Sequence, residues 1–209
     1  MFKKVIAFAF AATFSLVSNA QLGGLGGLGG LLGGGGGGSG PAPDKLLAEY
    51  FVGTAAILNA NSKILTALGM KEAADAAASN AANMKTGATT DAIKEAEKVQ
   101  TESSKLIQEK LADKNLKLDD AAKKQMGDGY LSLAAGSLAY IVFIKDVKEF
   151  KPSVTSIGAS ALALAAIVPR VPEDTKNLLA TYKAVAAYAK ENKIPAPSED
   201  PTKSLAGLV

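Results

Sequence analysis

The chain has 209 residues, lacks both cysteine and histidine, and carries a formal charge of +3 at neutral pH. Without these two residue types it cannot form disulfides or use thiol catalysis, histidine-based triads, the usual zinc sites or iron–sulfur clusters. Lys3 and Lys4 supply most of the positive excess. The near-neutral remainder gives no electrostatic reason to expect a nucleic-acid partner.

The first 20 residues have the organisation of a secretory signal peptide. The two lysines precede an apolar run over 5–17, and Ser18 and Ala20 are small residues at the positions that a signal peptidase recognises. We therefore predict cleavage between Ala20 and Gln21, and export to the periplasm or the extracellular space, with a bacterial envelope as the favoured setting. The apolar run is too short for a retained membrane span, and the absence of cysteine excludes a lipid-modified cysteine at the cleavage point.

A glycine- and leucine-rich tract follows over 21–43. Five leucines lie among its glycines, and the first four recur at every third residue: Leu22, Leu25, Leu28, Leu31 and Leu32. Such a tract buries too little apolar surface to offset its backbone entropy, so we predict a disordered, flexible linker. The alternative is an adhesive segment whose leucines contact a membrane, a partner or each other, and these leucines are the candidate interaction residues.

The segment 44–194 has the composition of one helical domain. It is rich in alanine and free of proline until Pro152, and its apolar residues recur at three- and four-residue spacing. The predicted helices cover about 44–68, 70–85, 89–112, 119–150, 153–168 and 172–192. Because short loops join them, we predict an all-α antiparallel bundle of five to six helices, with a flexible proline-containing tail over 195–209.

Individual residues mark the predicted helix ends. Asp44 and Asp119 are predicted N-caps, and Gly69 is predicted to end the first helix. Gly127 and Gly129 predict a kink or interruption in the fourth helix.

The acidic segment 113–120 begins like a calcium loop. It places Lys117 where an oxygen ligand belongs and Leu118 where the loop needs glycine. The segment is therefore interpreted as an interhelical turn, and no metal site is predicted.

Two apolar segments rich in small residues, 131–144 and 154–168, flank a polar turn. We predict that they form the central hairpin of the bundle. The alternative is a membrane-inserting, pore-forming hairpin over 131–168, although the first segment is shorter than the roughly 20 residues that a span requires. Association with a membrane stays open, whereas a transmembrane chain is not expected.

No catalytic or cofactor-binding residue is predicted. Asp128, which lies between two glycines, is the one candidate for a carboxylate-dependent hydrolase, and a turn role is favoured for it. A small apolar ligand between helices stays open, but the aromatic residues are interpreted as core: Tyr50, Phe51, Tyr130, Tyr140, Phe143, Tyr182 and Tyr188. Asn59 and Asn61 are expected to fix helix register.

The sequence therefore predicts an exported, non-enzymatic helical-bundle protein. We expect it to act by binding to, or structural association with, another envelope protein or surface. Its specific role and partner are not readable from the residues.

Overall fold

A computed structural model describes residues 41–84, 89–150 and 158–209. Within these residues the secondary structure is helical and no strand occurs, which confirms the predicted all-α bundle. The helices are α1 (Pro43–Ala67), α2 (Lys71–Asn83), α3 (Thr90–Leu111), α4 (Asp120–Glu149), α5 (Ala159–Ile167), α6 (Val171–Glu191) and α7 (Thr202–Ala206). The predicted signal peptide, its cleavage point and the five leucines of the tract lie outside the described residues.

Four long helices surround the core. α1 packs along α4, α4 against α6, α6 against α3, and α3 against α1, while α2 covers α1 and α3. Lys45 Nζ lies 2.8 Å from Asp146 Oδ2, and Lys63 Nζ lies 2.9 Å from Ser132 Oγ. These two contacts run in opposite chain order, so α1 and α4 are antiparallel as predicted.

The contact between α1 and α3 is parallel, as expected for the first and third helices of an antiparallel bundle. Tyr50 Oη donates to Glu97 at 3.2 Å, and Asn61 Nδ2 donates to Ser103 Oγ at 2.8 Å. Both contacts run in the same chain order because α2 returns the chain between the two helices. Asn61 is fully buried and therefore fixes register as predicted, whereas Asn59 is exposed and has no such role.

Glycines make α1 and α4 approach closely. A Cβ atom at Gly136 would lie 3.0 Å from the backbone nitrogen of Ile57, and one at Gly129 would lie 2.6 Å from Ile64 Cγ1. The prediction that glycines would kink or interrupt this region is wrong, since α4 is one continuous helix from Asp120 to Glu149. Gly129 allows close packing instead, and Asp128 lies within the helix and not in a turn.

The helix ends follow local chemistry. Asp119 Oδ1 accepts from the Ala122 amide at 2.8 Å, so the predicted cap of α4 is confirmed. Gly69, at φ 74°, ends α1, and the next residue donates to the Leu65 carbonyl at 2.9 Å. Asp44 is not an N-cap, because α1 begins at Pro43, a favourable first helical residue.

The predicted central hairpin is also corrected. α5 packs against α1, and the contacts of α4 are mainly with α1 and α6. At the C-terminus, the segment predicted as a loose tail contains α7, which packs on α6 and fully buries Leu205.

The aromatic residues belong to the core, as predicted. The ring centroids of Tyr50 and Phe143 are 5.3 Å apart, and those of Tyr130 and Tyr182 are also 5.3 Å apart. The other members of the predicted set, Phe51, Tyr140 and Tyr188, are buried as well.

Candidate functional site

The outer face of α4 carries an exposed apolar stripe. It consists of Leu131, Ala135, Leu138 and Val142, which we call the α4 stripe. Leu131 and Val142 are each 49% exposed, Ala135 is exposed and Leu138 is half-buried. The spacing of four, three and four residues keeps all four side chains on one side of the helix.

Charged residues continue the same spacing beyond both ends of the stripe. Lys124 and Asp128 precede it, and Lys145 and Glu149 follow it; all four are exposed. The alternation of three- and four-residue steps from Lys124 to Glu149 is the heptad spacing of a coiled-coil seam. This face therefore has an apolar centre with two charges at each end.

The opposite face of α4 holds the stripe in position. Gly129 and Gly136 bring the helix against α1, and Phe143 and Ile144 are buried. Polar contacts from Lys45 to Asp146 and from Lys63 to Ser132 join the flanks of the two helices. α4 is thus fixed in rotation with the stripe on its outer face, and Leu131, at one end of the stripe, lines a groove beside residues 192–195.

α4 is long and apolar enough, by length and composition alone, to cross a membrane. Half of the apolar window is buried inside the bundle. Core helices of soluble proteins meet the same criterion.

A second feature is a buried polar cluster at one end of the core. Glu97 of α3 and Asp174 of α6 are 5% and 6% exposed. Glu97 accepts a hydrogen bond from Tyr50 Oη, and its Oε2 lies 3.1 Å from Arg170 Nη1. Tyr140 of α4 belongs to the same electrostatic environment.

Burial dominates the titration of this cluster. Loss of solvation, followed by the charge of Glu97, raises the pKa of Asp174 to about 6. Desolvation also raises the pKa of Glu97, against the opposing effect of the Arg170 guanidinium, and it raises the pKa of Tyr50 and of Tyr140. Perturbed carboxyl groups of this kind mark catalytic sites in some proteins. Here both carboxylates are buried, and Glu97 joins Tyr50 of α1 to Arg170, the residue before α6, so the arrangement ties α1, α3 and the start of α6 together.

Sequence reasoning did not find this cluster. Glu97 lies four residues after the buried Ile93 and ten before the buried Ile107, on the inner face of α3. Its position on that face was the available signal, whereas its ion-pair partner Arg170 and the second carboxylate, Asp174, are remote along the chain.

Asp128, the hydrolase candidate, is exposed beside a groove of about 270 Å³ between the start of α4 and the end of α6. Lys123, Lys124, Lys193 and Ile194 also line this groove. Among the described lining residues Asp128 is the one carboxylate, whereas acid–base glycoside hydrolysis uses two. The groove does not assemble that chemistry.

The described residues contain no group of three or more acidic side chains placed to hold a metal ion. The segment 113–120 forms a turn in which Asp113 Oδ1 accepts from the Asn115 amide at 2.9 Å. Comparisons with protein-family models, with curated proteins and with solved structures found no match to this chain.

Proposed function

We propose that this protein is an exported, non-enzymatic component of the cell envelope that works by structural association. The helical bundle presents the α4 stripe as its contact surface, and the glycine- and leucine-rich tract attaches the bundle to its surroundings. The observation that carries this proposal is the exposed apolar stripe at the centre of a heptad-spaced face.

The stripe is better suited to a contact than to solvent. Half-exposed leucine and valine side chains lose about 25 cal/mol of favourable transfer free energy for each Å² left in water. Single exposed apolar residues are common, but four in register along one helix form a continuous ridge that a second helix can cover. Association is therefore the activity that this surface supports best.

Site-specific photo-crosslinking in producing cells tests the association surface. We expect crosslinkers placed at positions 131 and 142 to give the same discrete adduct. A crosslinker at position 105, an exposed lysine on α3, serves as the matched control and should not give that adduct. Absence of adducts at 131 and 142, or equal adducts at 105, would refute the α4 stripe as a contact surface.

The role of the tract is tested separately. If Leu22, Leu25 and Leu28 attach the bundle to the envelope, deletion of residues 21–40 should release the protein from its envelope fraction. Replacement of the five tract leucines by serine, which preserves the length, should have the same effect. Unchanged fractionation of both variants would leave the tract as a linker.

A membrane-active protein is the second candidate, because α4 passes the length and composition criterion for a span. In that case the hairpin 131–168 would insert into lipid and permeabilise vesicles. The burial of Tyr140, Phe143 and Ile144 against the bundle opposes insertion, so we expect liposomes to retain their contents. Leakage that is lost in Phe143→Asp but retained in Lys105→Asp would favour the second candidate.

A further inference from the structure

We propose that the α4 stripe is covered by α4 of a second copy of this chain, packed antiparallel about a twofold axis. This inference rests on the proposed function, since it names the partner of the same surface. The order of side chains along the exposed seam from Lys124 to Glu149 supports this pairing.

One antiparallel register pairs every member of the seam favourably. With the axis between Ala135 and Leu138, these two residues face each other across the interface, and Leu131 faces Val142. Outside them Asp128 faces Lys145, and Lys124 faces Glu149. A twofold axis produces each of these contacts twice, so an apolar centre is closed at both ends by opposite charges.

The competing arrangements bring unfavourable groups together. In a parallel pair, each seam residue faces its own copy, which opposes Lys124 to Lys124 and Asp128 to Asp128. Sliding the antiparallel pair by one heptad places Lys124 against Val142 and Asp128 against Leu138, which desolvates charges without partners. The seam therefore specifies both direction and register.

The size of the contact predicts a weak, concentration-dependent dimer. The seam from 124 to 149 spans about 38 Å at 1.5 Å per residue. One helix against one helix lies at the low end of specific interface sizes, for which we expect a dissociation constant on the order of 10–100 μM. The small side chain of Ala135, beside the axis, permits a close helix approach.

A lipid surface fits this face less well. Helices that lie on membranes usually place lysine and arginine along the polar border of the apolar face. The four charges in line with the stripe are two lysines and two acids, so the seam itself carries no net charge.

Charge reversal tests the register directly by sedimentation equilibrium of the purified full chain at low salt. Lys145→Asp and Asp128→Lys should each weaken dimerisation at least about tenfold, because each opposes like charges at two symmetric contacts. The double variant D128K/K145D, and an equimolar mixture of the two single variants, should each restore wild-type affinity to within about threefold. Lys105→Asp makes the same charge change on α3 and should have no effect.

The outcomes separate this inference from the proposed function. Val142→Lys should abolish the dimer while the circular dichroism of the monomer stays unchanged. A chain that is monomeric at every concentration, or a double variant that fails to recover, overturns the antiparallel pair. If positions 131 and 142 then crosslink to a different protein, the proposed function stands with another partner. If Val142→Lys instead abolishes binding to phosphatidylglycerol vesicles by a monomeric chain, a lipid surface is the occupant and the second-copy inference is refuted.

Discussion

The two faces of α4 are both apolar at the centre of the helix but make different kinds of contact. Val142 and Phe143 are neighbours in the sequence, yet Val142 is half-exposed and Phe143 is fully buried. The inner face combines glycines with aromatic residues and packs against α1 and α6, whereas the outer face repeats a simple heptad. A helix that is apolar on all sides can therefore carry one face that packs in the core and a second face that stays exposed.

The largest loss of stability is expected from a truncation on the inner face. Phe143→Ala removes a ring packed against Tyr50 and Tyr140, and we expect it to lower the free energy of unfolding by about 3–5 kcal/mol. Denaturant titration at low protein concentration, where the chain is monomeric, provides the measurement. A loss below about 1 kcal/mol would show that the inner face is not the core of the bundle.

The buried polar cluster allows a buried carboxylate to be compared with an exposed one. Asp174 has a pKa of about 6 in the folded chain, against 3.8 for the unperturbed group. As pH rises, Asp174 therefore loses its proton at a lower pH in the unfolded chain than in the folded chain. The free energy of unfolding falls as pH rises from 3.8 to about 6 and keeps its lower value above that interval. Asp174→Asn should remove that dependence and gain up to about 3 kcal/mol relative to wild type between pH 4 and pH 7.

Asp75→Asn is the matched control for this prediction, because Asp75 is exposed on α2. Its pH profile of unfolding free energy should parallel that of the wild type. A parallel profile for Asp174→Asn as well would mean that Asp174 is not desolvated.

Two glycines on α4 should respond to alanine with opposite signs. A Cβ at Gly136 meets the backbone of Ile57 and Ala56 at 3.0 and 3.1 Å, and the backbone cannot move aside. Overpacking costs about 1–3 kcal/mol and exceeds the gain of about 1 kcal/mol in helix propensity. We expect Gly136→Ala to destabilise by about 1 kcal/mol.

Gly127→Ala is its control, since the added Cβ meets only the Ile194 Cγ2 methyl at 3.3 Å. This side chain can shift, so the propensity gain should remain and Gly127→Ala should stabilise by up to about 1 kcal/mol. Equal effects of the two substitutions in thermal unfolding would contradict the close approach of α1 and α4.

The smallest effect is expected on the outer face. Val142→Ala should change the stability of the monomer by less than about 0.5 kcal/mol, because the side chain is already half in water. A loss above about 1.5 kcal/mol in the same low-concentration titration would show that the α4 stripe belongs to the folding core.

The helices were predictable because their signals are local. Alanine content and apolar periodicity locate α1, α3, α4 and α6, and Asp119 and Gly69 mark ends through bonds to nearby backbone. The prediction for Gly129 is wrong because a glycine can either interrupt a helix or allow a second helix to pack closely against it. The sequence around it does not say whether another backbone passes there.

The α4 stripe could be recognised only from the fold. In the sequence the stripe is hidden within a continuous apolar run, because Leu133, Ala134 and Tyr140 of the inner face lie between its members. Only after α1 and α6 account for those residues does the outer heptad become distinct. The alternating charges at 124, 128, 145 and 149 were a visible signal that would have set the register.

The direction of α1 relative to α4 decides what a paired form can do. The described chain enters α1 at Pro41, next to the C-terminal end of α4, where Lys45 meets Asp146. In the proposed antiparallel pair these entry points would lie at opposite ends of a rod about 38 Å long. Such a rod would act as a strut that holds two anchoring points apart, and its length, set by α4, would define the gap that it can bridge.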